Sequence, residues 1–196
     1  MILPIVAYGS PVLKKKAVDI SKDYPKLEEL IDNMFETMYN ANGVGLAAPQ
    51  IGLSIRLFIV DAKPFSQDES LSADEAKELE TFKRVFINPV IIEEKGVEWD
   101  FNEGCLSIPD VHEDIFRKPE LTIEYLDENF QPQTETFSGL PARVVQHEYD
   151  HIEGVLFTDK ISSLKKRLIK SKLANISKGK IEVGYKMKFP LAKKVR

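Results

Sequence analysis

His147-Glu148-Tyr149-Asp150-His151 sits inside a run of helical spacing, residues 142–152, with Pro141 placed for its first turn. On a helix, residues four apart share a face, about one turn from each other. Two imidazoles at that spacing can hold one metal ion, with Glu148 beside a water bound to it. Such an ion lowers the pKa of its water from about 15.7 toward roughly 7. A carboxylate in reach takes the proton and passes it to the leaving group. The plainer reading is a solvated helix face with two incidental histidines. Of the 3 histidines in the chain, however, two flank a glutamate at this spacing, which favours the metal.

A catalytic metal needs a third protein ligand and an open position. In many proteases with this motif that ligand is a downstream histidine, but its position here is Phe157, which cannot ligate. Glu153, two residues past His151, faces elsewhere on the helix, and Glu182 lies in a strongly basic tail. Cys105, in Glu103-Gly104-Cys105-Leu106-Ser107, is left as the soft ligand. A thiolate with two imidazoles suits zinc or ferrous iron, and the metal would hold the thiol deprotonated. Gly104 permits close backbone approach to a ligand. A buried small hydrophobe is the plain alternative for this cysteine; being the only one, it forms no intrachain disulfide. His112, after Pro109-Asp110, reads as structural or exposed.

Outward from these motifs the chain reads as one α+β domain: mostly antiparallel strands around a central metal-binding helix, with a helix near each end. Residues 24–40 have helical spacing, with starting signals at Ser21, Asp23 and Pro25 and a stop at Asn42-Gly43. The Gly-rich stretch 43–52 reads as loop. Strands are expected at 55–60, 85–88, 90–94, 120–125 and 134–137, the last two joined by a turn at 126–129. Between them, 62–83 reads as a surface insertion away from the motifs, with a short helix after the capping box Ser72-Ala73-Asp74-Glu75. A basic amphipathic stretch, 162–173, follows the central helix.

A hydrophobic content of 43% and a net charge of −4 are ordinary for a soluble globular protein and argue against general binding of free DNA. The first residues are too short and uncharged for a signal peptide and no apolar run reaches spanning length, so a cytoplasmic protein without membrane association is expected.

Three motifs in order resemble the peptide deformylase family: Gly43-Val44-Gly45-Leu46-Ala47-Ala48-Pro49-Gln50, Glu103-Gly104-Cys105-Leu106-Ser107 and Gln146-His147-Glu148-Tyr149-Asp150-His151. The stretches 2–6, 8–13 and 154–159 are also similar, so the likeness spans residues 1–165 as a catalytic domain. A basic extension, 166–196, then follows: partly helical, with an end expected to be mobile around Lys186, Lys188, Lys193, Lys194 and Arg196.

The resemblance implies removal of the N-terminal formyl group from nascent N-formyl-methionyl polypeptides. It implies metal ligands Cys105, His147 and His151, and Glu148 as general base and acid. The Gln50 amide and the Leu106 backbone N–H would stabilise the oxyanion. One divalent ion is implied, Fe²⁺ in the cell, with Zn²⁺ or Ni²⁺ also accommodated. Gly45 resembles a position that meets the substrate backbone, where an extended peptide can add as a strand. Val44, Leu140 and Val144 are candidates for the methionine pocket and equally for plain core. Arg143, one turn before His147, reads by default as solvated, and Gln50 alone would read as an ordinary loop glutamine. The basic stretch after Ser162 is either a ribosome contact, as in the family, or a solvated terminal helix. Two other readings stay open on the motif alone: an endopeptidase with a third ligand other than Cys105, and a binding protein whose structural metal is closed by four protein ligands.

Overall fold

The computed structural model describes residues 1–69 and 71–192; Lys193, Lys194 and Arg196 lie outside them. The elements run β1 (Ile5–Val6), α1 (Leu27–Asn40), β2 (Gly45–Ala47), β3 (Leu57–Asp61), α2 (Ala73–Thr81), β4 (Lys83–Lys95) and β5 (Trp99–Cys105). They continue with β6 (Ile108–Arg117), β7 (Glu120–Leu126), β8 (Pro132–Ser138), α3 (Gly139–Ile152), α4 (Phe157–Lys160), α5 (Ser163–Ser177) and β9 (Met187–Lys188). The α+β expectation holds. A five-stranded antiparallel sheet has the order β2-β3-β4-β7-β8, β5 and β6 form a separate antiparallel pair, and β1 pairs with β9 in parallel.

The period-2 alternation of β3 decides how the layers stack. Phe58 and Val60 face α3, where they join Val144, Val145 and Ile152. Leu57 and Ile59 face the other way, against Ile31, Met34 and Met38 of α1. Covered on both faces, β3 reads as a continuous apolar run, as a central strand should. A third cluster joins β6 (Ile108, Val111, Ile115) to α5 (Ile169, Leu173, Ile176) and to Val6, Ala7 and Leu13.

Several local expectations change. The helix expected from residue 24 starts at Leu27, because Lys26 is left-handed (φ 56°) and Pro25 disfavours helical backbone at Tyr24. The stretch 43–52 is not all loop: it holds β2 and a 3-10 turn, Ala48–Ile51. The segments 85–88 and 90–94 are one strand, β4, bent where its register shifts between Ile87 and Val90. At that bend Asn88 takes φ 49°, and its side chain bonds both Ile20 N (2.9 Å) and Ile20 O (2.8 Å). The β5–β6 pair was not expected at all. In the insertion, the capping box is present: Ser72 Oγ accepts from Glu75 N (3.3 Å) and Glu75 Oε2 from Ser72 N (2.9 Å). That insertion is not remote from the motifs, since Phe65 reaches the main cavity.

Asn88→Ala removes two hydrogen bonds and forces a Cβ-bearing side chain without local bonding into left-handed backbone, so a loss of about 2–3 kcal/mol is expected. Asn88→Gly should recover about 1 kcal/mol of that. Urea midpoints at unchanged slope measure both, and an Asn88→Ala protein as stable as the parent contradicts the account.

Candidate active site

Three segments deliver the site. Helix α3 carries His147 and Glu148 along one wall of a cavity of about 470 Å³, with His151 buried one turn further along the helix. The end of β5 brings Cys105, and the 3-10 turn after β2 brings Gln50. One ligand atom each of Cys105, His147 and His151 lies within 4.8 Å of the others, and Cys105 Sγ is 3.3 Å from His151 Nε2. One sulfur and two nitrogens at that spacing fit a four-coordinate ion with one position left open. Among the described residues no fourth His, Cys, Asp or Glu joins the group, and Glu182 is exposed outside it. Phe157, where a downstream histidine would ligate, is buried and stacks on the His147 ring at 6.2 Å.

The His147 imidazole is held from behind. His147 Nδ1 lies 3.0 Å from Glu103 Oε2, which leaves Nε2 for the cavity side. Burial pushes the His147 imidazolium down, but hydrogen bonds to Cys105 and Glu103 outweigh it and raise the group well above its ordinary value. A cation competing for Nε2 displaces that proton. Burial, then the positive charges of His147 and Arg117, hold His151 well below its ordinary value, in the neutral form that a ligand needs.

Glu103 is the residue sequence reasoning passed over. Its buried carboxylate accepts from Arg117 Nε (2.7 Å) and Nη2 (3.0 Å), from Arg143 Nη1 (3.0 Å), and meets His147. Burial alone would raise this carboxyl; the bonds to His147 and Arg117 and their charges hold it well below the usual carboxylate range. The only signal available was its place in the motif, two residues before Cys105, and the register shift between Glu103 and Cys105 removes simple alternation there. Arg117 had no such local signal, because only the β5–β6 pairing brings it here. Arg143 is buried rather than solvated: it bonds Glu103, Ile115 O (2.8 Å) and Trp99 O (2.7 Å), and lies 4.5 Å over the Trp99 ring.

Glu148 is buried, and burial raises its carboxyl to about 7; a bound cation beside it acts in the opposite direction. Its Oε2 has no hydrogen-bond partner among the described residues, so the cavity side offers an acceptor awaiting a donor. Gly45 makes that placement possible. A Cβ there would lie 2.4 Å from Glu148 Oε1. Gln50 is oriented by its own backbone neighbourhood: Oε1 accepts from Ala47 N (2.8 Å), turning Nε2 to within 3.5 Å of Cys105 Sγ.

Val44, Gly45, Gly104, Leu106 and Val144 line the same cavity, together with Phe65, Phe101, His112 and Tyr185. Leu140 does not; it lines an adjoining cavity of about 310 Å³ across Phe101. His112 is exposed at the rim, its ring occupying the space a Cβ on Gly104 would need.

The family model for polypeptide deformylase matches residues 2–167. A peptide deformylase of Christiangramia forsetii is 72% identical over 196 residues, covering 100% of both chains, and one of Flavobacterium johnsoniae is 67% identical with the same coverage. A crystal structure of a peptide deformylase from Legionella pneumophila superposes with a TM-score of 0.77 at 36% identity, covering 92% of this chain and 98% of that one. Matched along nearly its whole length by model, sequence and fold, this chain belongs to the polypeptide deformylase family.

Proposed function

We propose that this enzyme removes the formyl group from N-formyl-methionyl peptides and releases formate. The observation that carries the reading is convergence: the Glu148 carboxylate and the Gln50 amide line one cavity with Cys105 and His147, and a ring nitrogen of His151 lies within 4.8 Å of the ligand atoms of those two. In this reading the trio holds one divalent ion, Fe²⁺ in the cell, with Zn²⁺ or Ni²⁺ accepted by the same donors. That ion supplies Lewis acidity, bringing a water toward ionisation near neutral pH.

The chain's own groups do the rest. Glu148 takes the proton of the attacking water at its carboxylate and delivers it to the amide nitrogen as the bond to the formyl carbon breaks. Gln50 Nε2 and the Leu106 N–H, from the turn between β5 and β6, donate to the oxygen on which charge develops. β2 is an edge strand, so an extended peptide can add beside Gly45 with Gly104 across the cavity. Val44 and Val144, with Phe65 and Phe101, supply an apolar wall for the methionine side chain, and Leu140 extends it behind Phe101.

Nascent chains carrying a formyl group place the work in the cytoplasm, and among the described residues no helix is long and apolar enough to cross a membrane. Helix α5 supports a contact with the ribosome: Lys165, Lys166, Arg167 and Lys170 lie beside exposed Leu164 and Leu168. Such a contact weakens steeply with salt.

Glu148→Ala should lower formate release from a formyl-methionyl peptide by about 100-fold or more while metal stays bound, as metal analysis on the same sample checks. Turnover near the parent level sinks the mechanism. Gly45→Ala should displace the Glu148 carboxylate and cut kcat about 10- to 100-fold in a folded protein. Glu103→Gln should weaken metal affinity about 10- to 100-fold, read by competition with a chelator; unchanged affinity contradicts the role given to Glu103.

A further inference from the structure

The turn that joins β5 to β6 is tied down from outside its own strands. Tyr8 N donates to Ser107 O at 2.8 Å, and the Tyr185 hydroxyl donates to Leu106 O at 2.8 Å. Both carbonyls of a two-residue turn are therefore held, each by a residue from an opposite end of the chain. The β1–β9 pairing places those two tyrosines: Ile5 N donates to Lys186 O (2.9 Å) and Ala7 N to Lys188 O (3.0 Å). Ser177 Oγ, at the end of α5, donates to Tyr8 O (2.9 Å).

The chain can return to this position because Gly179, just past the end of α5, has a φ of 68° that reverses it. Gly179 N then bonds Ile176 O (3.0 Å) and Lys180 N bonds Asn175 O (2.9 Å), while the Phe189 ring fills the space beside Gly179. All of this lies beyond residue 167, where the family match ends. Tyr185 nevertheless lines the active cavity, next to Leu106 and Asp110.

Each peptide unit is planar: the Leu106 N–H lies in the unit shared with Cys105, and the Leu106 carbonyl lies in the next, shared with Ser107. With Cys105 paired to Ile108, and the next two carbonyls held by Tyr185 and Tyr8, little freedom remains in Leu106. We infer that Tyr185 is a positioning residue of the active site: by holding the Leu106 carbonyl it fixes the Leu106 torsions between two tethered peptide units, which keeps the Leu106 N–H in one orientation at the cavity, so the C-terminal segment completes the oxyanion site. This rests on the reading of that N–H as a donor to the substrate's oxygen.

The test is Tyr185→Phe in the full-length, metal-loaded enzyme, which removes the hydroxyl and keeps the ring. Formate release from a formyl-methionyl tripeptide should show kcat reduced about tenfold, the worth of one hydrogen bond, with KM within about twofold. Amide hydrogen exchange of the 105–108 segment should quicken about tenfold without substrate, at unchanged metal content. An unchanged kcat overturns the inference. A change confined to KM overturns it too, making Tyr185 a substrate contact, and so does a kcat loss that merely tracks lost metal. If the unmodified enzyme releases no formate, the deformylase reading fails, and the hydrogen-exchange comparison still decides whether Tyr185 holds the turn.

Discussion

The Glu103 carboxylate is the constraint on which the rest of the site depends. It joins the strand carrying the thiol to the helix carrying both imidazoles, through His147, Arg117 and Arg143. Asp150, one turn past His147 on α3, takes the other side of the Arg117 guanidinium at 2.7 Å. Two buried guanidinium groups thus face two carboxylates, and no charge in the cluster stands alone. Removing one member of such a group costs far more than the pair is worth, because the partner is left charged and desolvated. The arrangement is accordingly evidence of fixed geometry more than of stability. It holds β5 against α3 at the one place where their spacing matters for chemistry.

The five-stranded sheet acts as the base for this assembly. Because β3 is covered by α1 on one face and α3 on the other, α3 cannot rotate without exposing Val145 or Ile152. The faces of α3 therefore do separate jobs: one is packed into the core and another turns His147, Glu148 and Arg143 toward β5 and the cavity. Arg56 shows the same economy at the far end, where it bonds Glu153 (2.5 Å) and Pro89 O (2.5 Å) and ties the end of α3 to the bend in β4.

What could be read from the sequence was what local periodicity encodes. The helix bearing His147 and His151, the capping box at Ser72 and Glu75, and the β7–β8 hairpin all follow from residues a few positions apart. The β5–β6 pair escaped because its strands mix charged, polar and apolar residues, with Gly104 and Pro109 reading as punctuation. Once that pair was missed, Arg117 and Glu103 had no reason to meet. Phe65 and Tyr185 were illegible for a related cause: each reaches the cavity from a segment with no motif of its own. The roles expected of Cys105, His147, His151, Glu148 and Gln50 came from motif order; geometry adds what surrounds them, such as the clash a side chain on Gly45 would make with Glu148.

The parallel pairing of β1 with β9 has a kinetic side. Ile5 and its partner, Met187, stand far apart in the sequence, so this contact belongs to the slow, non-local class that forms after the local helices and hairpins. Until synthesis passes residue 188, the first strand has no partner and the 106–107 turn lacks the hydroxyl that ties its first carbonyl. The helices and hairpins can therefore be in place while that turn is still untied. Tying the 106–107 turn is thus a late step, gated by the joining of two distant strands rather than by the hairpin that contains the turn.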